Sequence, residues 1–146
     1  MQMIEIRDPD LLIRTLADFR YEMRRFQLFS EQAAIGAGLQ PRQHQLLLQV
    51  AGASEDATIT IAYLAERLGL KHNSTVELVD RSEHEGLVAR FEDSADRRRT
   101  ILRVTRKGHQ LLSKLTGQHA RELNEAGPRL IQALEEIRSH ALQEAE

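Results

Sequence analysis

The sequence predicts a mainly α fold carrying a small β-hairpin wing: a winged helix-turn-helix with dimerisation helices on both flanks. Three observations point there. Residues 61–85 hold two short helical patterns separated by Gly69, the layout of a helix-turn-helix. Two β-type runs follow, 87–91 and Thr100–Val104, enclosing a polar loop that ends in Asp96-Arg97-Arg98-Arg99. Both ends of the chain carry Leu, Ile and Ala at helical spacing. Aromatics make up only 4% of the chain and Trp is absent, which suits a helical protein better than a sandwich or barrel.

Taken in order, Asp8-Pro9 is a helix start, an N-cap carboxylate followed by Pro at the first helical position. The seam Leu12, Leu16, Phe19, Met23, Phe26 then predicts a helix to about Ser30. Gly36 and Gly38 mark a loop. Pro41 opens a second helix through about Gly52, with Leu46, Leu47, Val50 and Ala51 inward. After a polar connection, residues 58–60 have the composition of a short strand. Ile61, Leu64, Ala65 and Leu68 give an amphipathic helix that Gly69 stops. A second helix is expected over 73–85, with Thr75, Leu78, Val79 and Ser82 inward and Gly86 past its end. Thr105 reads as the N-cap of a long helix bearing Leu111, Leu112, Leu115 and Leu123. Gly127-Pro128 reads as a break before a final helix with Ile131, Leu134, Ile137 and Ala141. Six helices and a two- or three-stranded sheet result. One domain over 1–146 is expected, with dimerisation helices at 8–35 and 106–146 around a DNA-binding region at 40–105. The terminal helices hold more apolar surface than a small winged helix can cover. Pairing with a second copy would bury it, at roughly 25 cal/mol per Å².

The composition narrows the function classes. With 41% hydrophobic residues in 146, a core can form; with no Cys, disulfides, thiolate metal sites and thiol redox sensing are excluded. No apolar run approaches a membrane span and no signal peptide opens the chain, so a cytoplasmic location is expected. The net charge of −2 hides an asymmetry. Residues 90–107 hold seven Lys/Arg against three Asp/Glu, and phosphate neutralisation needs local positive charge, not a basic whole. The six histidines form no HExxH pair, and neither GxSxG nor a phosphate-loop glycine motif occurs, so no enzyme and no cofactor are expected.

On the second helix of the helix-turn-helix, His72, Asn73, Ser74, Val76 and Glu77 face outward near its start. Asn73 and Ser74 can bond base edges, yet both also favour helix caps. His72 is a phosphate or base contact, or a solvated turn residue. Glu77 repels phosphate but can accept from cytosine N4. Arg81 is a phosphate clamp, or pairs with Glu77 or Glu85 along the helix. Ser82 stands where an apolar residue would pack better. In the wing, three consecutive arginines repel one another unless an anion lies near, and arginine suits a narrow minor groove. The bland alternative is a solvated charge run.

Four blocks then carry a resemblance: LAERLGL at 64–70, STVELVDRSEHEGLVAR at 74–90, DRRRTILRVTRKG at 96–108 and HARELNEAGPRL at 119–130. In this order and spacing the chain resembles the MarR family of winged-helix transcriptional regulators. PRQHQLLL at 41–48 is similar to one branch of it. The resemblance implies a homodimer on a palindromic double-stranded operator, usually a repressor, released in many members by a small phenolic or aromatic compound. It implies that Arg98 is the minor-groove residue and Asp96 the carboxylate orienting it; beside them, Arg97 and Arg99 read as phosphate contacts, a turn of Arg99 back to the strand being its alternative. It also implies an effector pocket, for which Phe19, Met23, Phe26, His44 and Leu48 are candidates, ordinary packing being the alternative for each. The competing class is a winged-helix protein-interaction module that does not bind DNA.

Overall fold

The computed structural model describes residues 8–54, 57–96 and 100–142. In order these form α1 (Pro9–Gly36), α2 (Pro41–Ala51), α3 (Ile61–Leu68), α4 (His72–His84), β1 (Val88–Glu92), β2 (Thr100–Val104) and α5 (Arg106–Leu142). They divide into two compact units. One is continuous in sequence, residues 31–117. The other joins described residues 8–30 with 118–142.

The continuous unit is a winged helix built on one apolar core. Leu46, Leu47 and Val50 of α2, Leu64 of α3, and Leu78 and Val79 of α4 are buried with Leu87, Val88 and Leu102 of the hairpin and Leu112 and Leu115 of α5. Each fully buried Leu or Val contributes about 1.5–3 kcal/mol. β1 and β2 pair antiparallel, Val88 opposite Val104 and Glu92 opposite Thr100, making a two-stranded sheet among the described residues. Three of the helices preceding the hairpin, α1, α3 and α4, are punctuated alike, whereas α2 ends at Gly52 in a right-handed conformation. Gly38, Gly69 and Gly86 all have positive φ, and each is followed by a leucine whose N–H returns to the helix: Leu39 to Ala34 O, Leu70 to Ala65 O, Leu87 to Ser82 O. This is the Schellman stop, which satisfies terminal carbonyls while tucking an apolar residue against the last turn.

In the other unit, α1 and α5 run antiparallel, and three polar contacts join them. Thr15 Oγ1 donates to Glu136 Oε2 at 3.2 Å, Arg129 Nε donates to Glu22 Oε1 at 3.0 Å, and Ser30 Oγ shares a 2.8 Å hydrogen bond with His119 Nε2. Thr15, Glu22 and Ser30 are buried, one every seven or eight residues along α1. Phe26 and Phe29 both meet the His119 ring edge-on. The apolar seam read from the sequence is split: Leu12, Phe19 and Phe26 are half-buried at positions that alternate with Thr15, Glu22 and Ser30, whereas Leu16 and Met23 are exposed. On α5, Ile131 and Leu134 are exposed as well.

Four expectations need correction. α1 runs six residues past Ser30, because Ala33 and Ala34 pack with the winged-helix core and the stop comes only at Gly38. Gly127-Pro128 is not a break: α5 is continuous, so the described residues hold five helices. Pro128 removes one helical hydrogen bond, a cost of about 3 kcal/mol. Buried Ala126 and Ala133 and the Arg129–Glu22 bond hold the helix on both sides of it. Residues 58–60 form no strand; Thr60 is extended, but its Oγ1 caps α3 by accepting from Tyr63 N at 3.0 Å. Ala51 is exposed where an inward position was expected.

Candidate nucleic-acid interface

α4 is amphipathic in the sense that matters for recognition. Thr75, Leu78, Val79 and Ser82 form its buried stripe. Thr75 Oγ1 satisfies itself on Lys71 O at 2.9 Å, one turn back. Ser82 Oγ is buried without a hydrogen-bond partner, so the small side chain fits the space but leaves its hydroxyl unmatched. Opposite this stripe, His72, Asn73, Glu77 and Arg81 are exposed, and Ser74 and Val76 are half-buried. The six recognition candidates therefore share the outward side of one helix. Asn73 is not a cap, since Lys71 holds the N-cap position and Asn73 lies inside the first turn. Its amide is left to face outward.

Arg81 pairs with neither Glu77 nor Glu85. Its Nη1 donates to Gln40 Oε1 at 2.9 Å, across to the start of α2. Beside it, buried Gln43 donates from Nε2 to Glu85 Oε2 at 2.7 Å while its Oε1 accepts from Gln40 N. Two glutamines thus tie the start of α2 to the end of α4. Sequence reading missed both, because a polar pair forty residues apart leaves no periodic signal.

The end of α4 is bonded to the start of α5. Lys107 Nζ donates to Glu85 O at 2.9 Å, and Thr105 Oγ1 donates to Gly86 O at 2.6 Å. The same hydroxyl accepts from Gly108 N at 3.1 Å, which is the N-cap bond of α5. Gly108 is buried against β1: a Cβ there would stand 2.3 Å from Leu87 O and 2.7 Å from Val104 Cγ1. Thr105, expected from the sequence as the N-cap of this last helix, is therefore with Gly108 a brace between α4, the hairpin and α5.

A third connection joins α4 to the hairpin itself. Arg90 of β1 donates to Asp80 Oδ1 and Glu83 Oε1 of α4, each at 2.8 Å. The hydrogen bond to Asp80, against the opposing effect of burial and with help from Glu83, lifts Arg90 above the usual guanidinium range. The ion pair also neutralises two carboxylates on the recognition helix. The only sequence signal for it was the acidic pair one turn apart followed by a strand arginine.

Beyond β1, Asp93 Oδ1 accepts from Ala95 N at 2.9 Å, starting the turn of the wing, and Asp96 is exposed. Arg97, Arg98 and Arg99 lie outside the described residues. Of the effector candidates, Phe19, Met23 and Phe26 belong to the two-segment unit, while His44 and Leu48 belong to the winged helix. There His44 is buried at 3% exposure and Leu48 is 41% exposed, so only His44 has the enclosed setting of a specific contact. No described helix is long and apolar enough to cross a membrane.

Comparison with known proteins follows the geometry. A sequence model of the MarR family matches residues 37–99, from the end of α1 into the wing. No curated protein sequence matches the chain significantly. Among solved structures, a MarR family protein from Bacillus stearothermophilus is 25% identical over 77% of this chain and 79% of its own, with a TM-score of 0.64. CouR from Rhodococcus jostii, solved with bound p-coumaroyl-CoA, is 25% identical over 69% of each chain, with a TM-score of 0.59. The MepR–DNA complex from S. aureus shares the fold, with a TM-score of 0.62 and 19% identity over 83% of this chain and 91% of that one. Over residues 37–99 the chain is thus similar in sequence to the MarR family of winged-helix transcription regulators, and it shares the fold of the solved members of that family.

Proposed function

We propose that the protein is a homodimeric, cytoplasmic repressor that binds a palindromic operator and is released by a small phenolic or aromatic ligand. The observation that carries DNA binding is the outward side of α4, where His72, Asn73, Ser74, Val76, Glu77 and Arg81 stand opposite a buried stripe. α4 enters the major groove and the wing, with Asp96 and Arg97, Arg98 and Arg99, enters the minor groove beside it. The MepR–DNA complex supports this reading through its shared fold, and the ligand-bound CouR structure supports control by an aromatic acyl compound. Dimerisation uses 8–35 and 106–146, where exposed Leu16, Met23, Ile131 and Leu134 need a cover. Phe19, Met23 and Phe26 on α1, and His44 and Leu48 on α2, are the effector candidates to be substituted one at a time.

The test is fluorescence anisotropy with DNA from upstream of the protein's own gene, titrated between roughly 50 and 200 mM salt. Affinity is expected to fall steeply with salt, Arg98→Ala to weaken binding about tenfold on every sequence, and Asn73→Ala to alter sequence preference as well. A dimer that ignores DNA of all sequences, with Arg98→Ala changing nothing, sinks the proposal in favour of a protein-interaction module.

A further inference from the structure

Glu77 is the residue that fits a DNA-facing helix least, since a carboxylate there repels phosphate. Its surroundings alter that. Glu77 lines a cleft of ≈ 120 Å³ together with Ser74, Leu78 and Arg81 of α4 and with Gln40 and Arg42 of α2. Two guanidinium groups share the cleft with one carboxylate, so its local charge is positive. Arg81 is held by Gln40, and among the described residues neither Glu77 nor Arg42 makes a hydrogen bond or ion pair. The Glu77 oxygens are therefore free acceptors at a place where their charge is already offset.

A carboxylate can only accept. In the major groove guanine offers N7 and O6 and thymine offers O4, all acceptors, while adenine sets its amino group beside the acceptor N7. Cytosine alone presents a donor, N4, with no acceptor next to it. We propose that this cleft is a base-reading site in which Glu77 accepts from the exocyclic amino group of a cytosine. Arg42 and Arg81 contact the neighbouring phosphates, and Gln40 is a positioning residue that aims Arg81. The inference rests on the DNA-binding reading above, and it adds the base read and two residues of α2.

The experiment is selection of bound sequences from a random duplex pool, followed by anisotropy titrations of wild type, Glu77→Ala and Arg42→Ala. Wild type is expected to select a C·G pair at one symmetric position in each half-site. Glu77→Ala should lose a preference of about fivefold or more at that position, while binding unrelated DNA more tightly because a repelling charge is gone. Arg42→Ala should weaken binding about three- to tenfold on all sequences and reduce the salt slope by about one contact per protomer. All three side chains of the triad Arg42, Glu77 and Arg81 are exposed, so the variants are expected to fold, which thermal melts are to check. If Glu77→Ala tightens every sequence equally with preference unchanged, Glu77 only repels and the inference is overturned. Unchanged affinity and salt slope in Arg42→Ala overturn it as well. Either result leaves the DNA-binding reading standing, whereas a wild-type protein that binds no DNA removes both.

Discussion

Gly108 shows how one residue holds three elements together. Its missing side chain lets the first turn of α5 press against the Leu87 carbonyl, and the Thr105 hydroxyl next to it links the end of α4 to the cap of α5. A methyl at position 108 would meet backbone, which cannot swing aside as a flexible side chain would. Gly108→Ala is therefore expected to cost about 1–3 kcal/mol of stability, read from urea melts, and to lower DNA affinity by displacing the end of α4. A melt within 0.5 kcal/mol of wild type, roughly the scale of a neutral surface change, would show that this approach is not needed. Thr105 was legible in the sequence as the N-cap of α5. What it does with Gly108 was not, because their partners, the carbonyls of Gly86 and Leu87, are backbone atoms that any residue would supply.

Among the elements, α1 and α5 carry a division of labour that hydrophobic pattern alone obscures. The seam that predicts α1 is correct as a helix signal, yet the face packed on α5 is mixed, with Phe26 and Phe29 against His119 and with Thr15, Glu22 and Ser30 matched to Glu136, Arg129 and His119. Periodicity reports that a helix has an apolar side; it cannot report which partner that side meets. Nor could it foresee continuity through Pro128, which is maintained by contacts on both sides of the proline. The Glu22 side chain is only 10% exposed, and its second oxygen already lacks a partner. Arg129→Ala should therefore leave a buried charge unmatched and destabilise the protein by about 1–3 kcal/mol. Replacing both residues by leucine should recover most of that loss. Equal losses in the single and double variants, measured by urea denaturation, would show that the bond contributes nothing beyond helix packing. The same reasoning explains Arg90: its acidic partners were visible as a charge pattern, but their meeting depends on how β1 returns along α4.

For the molecule as a whole, the helix-turn-helix and hairpin were legible because each is specified by neighbours in sequence: spaced apolar residues, a glycine stop, alternation in the strands. The outward-facing residues of α4 were legible by subtraction, as whatever lies off the Thr75, Leu78, Val79 and Ser82 stripe. Gln40, Arg42 and Gln43 were not, since only the fold brings the start of α2 beside α4. The same contrast sets an order in time. The winged helix is a continuous stretch, whereas the other unit needs both ends of the chain. Closing so long a loop has an entropic cost that local contacts avoid. Pulse-labelled hydrogen exchange during refolding is expected to protect amides of 31–117 before those of 8–30 and 118–142; simultaneous protection would contradict this. On the ribosome the delay becomes obligatory. α1 is made well before the part of α5 it packs on, so its Thr15, Glu22 and Ser30 lack their partners until α5 follows, and for that interval the helix is open to wrong partners.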